Sequence, residues 1–120
     1  DNPCCFAADE RCVQAVSQVI QEHDRAWIGP IASGDCFVNT AQQVARIKQE
    51  YPEALCAEME AASIAQVSAH YGVPFVVVRS LSDITLKAGN EMTFEEYAQK
   101  ASVRSAAWCE KVVVKLAECL

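Results

Sequence analysis

Along the chain, apolar residues recur first with a period near 3.6 and later in short unbroken runs. That alternation predicts helices flanking a sheet. From Asp9, the residues Cys12, Val13, Val16, Val19 and Ile20 fall on one side of a helix reaching about His23, with Glu10, Arg11, Gln14, Gln18 and Gln21 on the other. Residues 1–8 read as a connector, with Asn2-Pro3 as a turn signal. Residues 27–33 read as a strand, within which Pro30 has no N–H for a ladder and so marks an edge, a bulge or the end of pairing. A second helix is predicted over 40–51, with Ala41, Val44, Ala45 and Ile47 inward and Pro52 as its stop.

Residues 54–57 form a short predicted strand, and 61–71 a helix whose small residues Ala61, Ala62, Ser63 and Ala65 suit close packing on a sheet. Gly72 is its expected C-terminal cap. The run 73–78 is β-branched, apolar and entered from Gly72 and Pro74, as for a strand buried on both faces of a parallel sheet. Residues 84–92 read as a polar loop, and Thr93 with Glu96 as the capping box of a last helix ending near Cys119. Tyr97, Ala98, Ala101, Trp108, Cys109, Val112, Val113 and Leu116 are expected on its inner face. Strand, helix and strand in this order give the right-handed parallel crossover of an α/β fold, and 1–120 is treated as a single domain.

Composition narrows the class. The 120 residues are 52% hydrophobic and 22% charged with a net charge of −6, which fits a globular chain and not a disordered one. Acidity without a Lys/Arg cluster argues against nucleic acid as a partner. No apolar run approaches membrane-spanning length, so no membrane association is expected. The seven cysteines are odd in number and include no C-x-x-C pair, which favours free thiols in a reducing cytoplasm over a disulfide framework or a zinc site. No cofactor or metal is expected. The chain begins at Asp1 inside a predicted loop and reads as truncated, processed or a fragment.

If the three strands run parallel, their carboxyl ends gather Gly34 to Phe37, Glu58 to Glu60 and Arg79 to Asp83 along one crevice, where open α/β sheets bind ligands. An aromatic face can stack a base, a carboxylate can accept from a diol, and a protonated carboxyl can protonate a leaving ring nitrogen. The set suits a nucleoside. Plainer readings stand beside this one: Asp83 as a turn or helix cap, Glu58 and Glu60 as first-turn acids, Asp35 as a turn former, Phe37 and Phe94 as core, and Arg79 as an ion-pair partner for Glu60 or Asp83. Of the two glutamates, alternation turns one to the crevice, taken as Glu60. His23 and His70 sit at predicted helix ends and are given no metal or acid-base role.

The elements Ser33-Gly34-Asp35-Cys36-Phe37-Val38-Asn39, Glu58-Met59-Glu60-Ala61 and Pro74-Phe75-Val76-Val77-Val78-Arg79-Ser80-Leu81-Ser82-Asp83 resemble the C-terminal half of the methylthioadenosine/S-adenosylhomocysteine nucleosidases, of the nucleoside phosphorylase superfamily. The resemblance implies part of a three-layer α/β/α domain with a mixed, largely parallel sheet and flanking helices. It implies N-glycosidic hydrolysis of 5′-methylthioadenosine and S-adenosylhomocysteine with release of adenine. Phe37 would stack on adenine, the Val38 backbone would bond the base edge, Met59 would pack beside the sugar and Glu60 would hold the ribose hydroxyls. Asp83, held by Ser82, would be the general acid at N7, Arg79 would organise the site, and Phe94 would cover the 5′ substituent. The family's water-activating glutamate belongs to an N-terminal half absent here, and the implied partners are an adenine nucleoside, a missing N-terminal segment and a second copy in a homodimer. The alternatives are a purine nucleoside phosphorylase and a non-catalytic storage or ligand-binding member of the fold.

Overall fold

The computed structural model describes residues 4–22, 25–80 and 94–120 and, in the last stretch, side chains other than those of 94–98, 101 and 104. The elements are α1 (Glu10–Gln21), β1 (Ile31–Ser33), α2 (Ala41–Glu50), β2 (Cys56–Glu58), α3 (Ala61–His70) and α4 (Phe94–Cys119). β1 and β2 pair in parallel with Ile31 opposite Cys56 and Ser33 opposite Glu58, and α2 makes the crossover between them. Both strands therefore end at the same rim.

α1 starts where Asp9 accepts from the backbone N–H groups of Arg11 (2.9 Å) and Cys12 (3.2 Å), satisfying two donors that the first helical turn cannot. Its apolar stripe packs on α4. Val16, Val19 and Val112 form a buried cluster, with Ile20, Val76, Val78, Trp108 and Leu116 packed against it. Trp108, Val112 and Leu116 are spaced by four, so they share one side of α4. Cys109 and Val113, expected on the same face, are exposed, because each lies one residue, or about 100°, further round the helix. The expected positions of Tyr97, Ala98 and Ala101 fall outside the described side chains, as His23 and the Thr93–Glu96 box fall outside the described residues and side chains.

α2 carries the full reciprocal cap: Thr40 Oγ1 accepts from the Gln43 N–H, while the Gln43 side chain accepts from the Thr40 N–H. Only one edge of it is covered. Val44 and Ile47 are half-buried, whereas Ala41 and Ala45, also expected inward, are exposed. On α3 the residues four apart, Ala61 and Ala65, are buried, and Ala62 and Ser63 are not.

The strands are shorter than the apolar runs suggest. Pairing on β1 begins one residue after Pro30, whose carbonyl still accepts from Leu55 N–H, and Trp27 and Ile28 remain 74% and 66% exposed. β2 is displaced toward Glu58 because a turn takes Ala54, its N–H bonding to the Tyr51 carbonyl. Among the described residues the run expected as a third strand, 73–78, forms no ladder; a strand exists only by pairing, and its backbone bonds are from Val73 N–H to the Ser68 carbonyl at 2.8 Å and from Asp9 N–H to the Phe75 carbonyl at 2.9 Å. Its position is nevertheless fixed, through Val76 and Val78 in the core cluster.

α3 ends in a Schellman motif. The N–H of Gly72 bonds the Ala69 carbonyl, that of Val73 bonds the Ser68 carbonyl, and Gly72 sits at φ 67°. The turn sends the chain back toward the rim at Arg79. A Cβ at Gly72 would meet nothing within 4 Å, so the cost of Gly72→Ala is backbone strain alone. Urea unfolding is expected to show a loss of about 1–2 kcal/mol; an unchanged midpoint would contradict the left-handed turn.

Candidate active site

The rim is built around a buried carboxylate. Glu58, the last residue of β2, has a side chain only 5% exposed. It accepts from the backbone N–H of Glu60 (2.9 Å) and of Ala61 (2.9 and 3.0 Å), which open α3. The Ser33 hydroxyl, at the end of β1, accepts from Ala62 N–H at 3.0 Å and favours the ionised form of the same carboxylate. Arg79 brings a guanidinium nitrogen to 4.0 Å. Burial alone would push the carboxyl up; the Ser33 hydroxyl, the two backbone donors and Arg79 outweigh it and hold Glu58 below its ordinary value.

Glu60 occupies the N-cap position of α3, yet its own side chain caps nothing. It stands 64% exposed and is met by Arg79 Nη2 at 3.4 Å. Of the two glutamates, Glu60 is the one left exposed, with Arg79 beside it. Reading Glu58 as a first-turn acid missed its role: it reaches forward from the strand to do what Asp or Ser usually does at an N-cap, accepting from the N–H groups two and three residues on. The spacing Glu58 to Ala61 carried that signal, but glutamate is not a usual cap, and Ser33, 25 residues away in sequence, gave none.

An exposed pair such as Arg79–Glu60 adds little stability. Its value lies in direction: Arg79 spans both glutamates, fixing the end of the 73–80 segment beside β2. Phe37 follows β1 off the same rim and is 65% exposed, with Val38 half-buried behind it; Met59, 44% exposed, lies between the two glutamates. Among the described residues, Phe37 is not packed into a core. Val38, Glu58 and Arg79 line an open groove of about 1480 Å³ beneath the rim, whereas Phe37, Met59 and Glu60 stand outside its lining. Ser82 and Asp83 lie outside the described residues, and so does the side chain of Phe94, the first residue of α4. Among the described residues no group of three or more His, Cys, Asp and Glu could hold a metal ion, and no helix is long and apolar enough to cross a membrane.

The family model of the phosphorylase superfamily matches residues 1–114, and the chain belongs to that superfamily. Its α/β architecture is part of a nucleoside phosphorylase-like fold. Within the superfamily it is similar to the 5′-methylthioadenosine/S-adenosylhomocysteine nucleosidase of Staphylococcus aureus, 40% identical over 115 residues, which are 95% of this chain and 50% of that protein. It also superposes on the 5′-methylthioadenosine/S-adenosylhomocysteine nucleosidase of Colwellia psychrerythraea, solved in complex with adenine, with a TM-score of 0.81 and 36% identity, covering 96% of this chain and 48% of that one. Futalosine hydrolase of Helicobacter pylori superposes with a TM-score of 0.78 and 31% identity over 92% of this chain and 45% of its own. The likeness to nucleosidases read from the three motifs is thus borne out, and the chain spans about half the length of these relatives.

Removing the charge at the centre of the rim should show in acid. Because the Glu58 value is depressed in the fold, its stabilisation is complete above the ordinary glutamate pKa of about 4.3 and is lost as pH falls through the lower folded value. Glu58→Gln should therefore unfold about 1–3 kcal/mol more easily at neutral pH, with the gap to the parent closing below pH about 4 in urea titrations. A gap that does not change with pH would show that the carboxylate is not what holds the rim.

Proposed function

We propose that this chain supplies the acid and the sugar-binding part of an N-glycosidic hydrolase site for adenine nucleosides carrying a 5′-thio substituent, 5′-methylthioadenosine and S-adenosylhomocysteine. The observation that carries the reading is the meeting of Glu60 and Arg79 at 3.4 Å on the rim from which Phe37 also emerges. The names of the relatives, and adenine in one of their structures, support it.

In this reading Phe37 offers its exposed face to adenine and the Val38 backbone bonds the base edge. Met59 packs beside the ribose, and Glu60, oriented by Arg79, accepts from the ribose hydroxyls. Asp83, held by Ser82, gives a proton to N7. Breaking the ribosyl bond leaves electron density on the purine, and protonation there turns the base into a better leaving group; the oxocarbenium-like sugar then takes water, as in other glycoside hydrolysis. Phe94 covers the 5′ substituent. No residue described at the rim is assigned the activation of water, and we place that base beyond these 120 residues.

A second reading within the same chemistry is hydrolysis of futalosine, favoured by the H. pylori likeness. The test joins this chain to the half of the S. aureus relative that it does not span and follows release of the free purine base in phosphate-free buffer, adenine from methylthioadenosine and hypoxanthine from futalosine. Release from methylthioadenosine, cut about 10²–10⁴-fold by Asp83→Asn, is expected. Preference for futalosine would select the second reading, dependence on phosphate would make the chain part of a phosphorylase, and full activity of Asp83→Asn would remove the acid from the mechanism.

A further inference from the structure

Cys4 and Cys5 take no part in the rim, yet they are not placed as neighbouring side chains in extended backbone are. In a strand, successive side chains point to opposite sides; here the two Sγ atoms lie 3.7 Å apart, both residues are exposed, and both line the mouth of the groove. That separation selects among the ways two sulfurs can be joined. A disulfide requires them to close to about 2.05 Å, a large adjustment within one dipeptide. A single pyramidal centre forming two bonds of about 2.3 Å at roughly 100° holds its sulfurs about 3.5 Å apart, a small adjustment from the separation found, whereas the same two bonds in a line would need about 4.6 Å.

We infer that Cys4 and Cys5 form a two-sulfur chelating site for a bent, thiophilic centre, of which a monosubstituted trivalent arsenical is the chemical class that fits. Two sulfurs and one organic substituent complete such a centre. A tetrahedral zinc ion would need further protein ligands, and among the described residues no group of three or more potential ligands exists. With an arylarsine oxide the exchange balances without an oxidant: two arsenic–sulfur bonds form, two S–H bonds and the arsenic–oxygen bond break, and the oxygen leaves with both protons as one water while arsenic stays trivalent. The hydrogen bond with Cys4, foremost, raises the Cys5 thiol above its ordinary value, which favours its protonated form. Other cysteines are placed less well: Cys12 is buried at 2% exposure in the α1 stripe, and Cys36 stands on the loop after β1.

The probe is phenylarsine oxide added to the phosphine-reduced chain, read by intact mass, peptide mapping and counting of maleimide-reactive thiols. One adduct per chain is expected, with two of the seven thiols silenced and both mapped to the peptide containing Cys4 and Cys5. Closing the second bond is intramolecular, so Cys4→Ser and Cys5→Ser should each weaken capture about 100-fold or more, while Cys36→Ser and Cys109→Ser leave it unchanged. Both replaced side chains are exposed, so folding is not at stake. Undiminished capture by Cys4→Ser or Cys5→Ser, or arsenic mapped to Cys12 with Cys119 or any other pair, would overturn the assignment.

Discussion

One buried carboxylate holds this rim together. Glu58 ends β2, and from there it binds the start of α3 through two backbone N–H groups, the end of β1 through Ser33, and the end of the 73–80 segment through Arg79. A carboxylate with little access to water is stabilised when its lone pairs are filled, and once filled it fixes the position of each donor. Three chain segments far apart in sequence are tied to one point. Glu60, two residues on, is thereby released from capping and left facing solvent with Arg79 beside it.

The remaining structure is a thin support for that rim. Among the described residues, the buried apolar side chains lie mainly between α1 and α4, with Ala61 and Ala65 where α3 meets the sheet. The two short strands contribute direction more than burial. The Cα radius of gyration, 15.5 Å, exceeds the roughly 13–14 Å of a compact domain of this length, and the shape is flattened to 20 Å in one dimension. Such a shape leaves one side open as a groove lined by the backs of β1 and β2, the apolar side chains of 75–78 and Trp108. Large side chains at its margins, Trp27, Ile28 and Leu55, remain in contact with water.

Most of the helices were legible in the sequence, because amphipathic spacing and caps are local. Asp9, Thr40 and Gly72 mark ends that the structure keeps within a residue or so. The sheet was less legible. Whether an apolar run such as 73–78 becomes a strand depends on which backbone lies alongside, and sequence spacing is silent on that. Among the candidate residues, Glu60 and Arg79 could be chosen because the end of a buried strand has few reasons to turn polar other than a site. The parts played by Glu58 and Ser33 could not, since their bonds cross between β1, β2 and α3 and follow from the parallel register of Ser33 on Glu58. Family likeness named Phe37 and Asp83; the physics of the chain alone would have left them as one aromatic and one acid among several.

The carboxylate itself can be observed. With the chain labelled at its glutamate carboxyl carbons, an NMR titration assigns each midpoint to a residue. The account predicts that Glu58 titrates below the ordinary glutamate range and moves back toward it when Ser33 is replaced by alanine or Arg79 by glutamine. A midpoint at the ordinary value, indifferent to both replacements, would mean that Glu58 is neither buried nor bonded as described, and the rim would lose its centre.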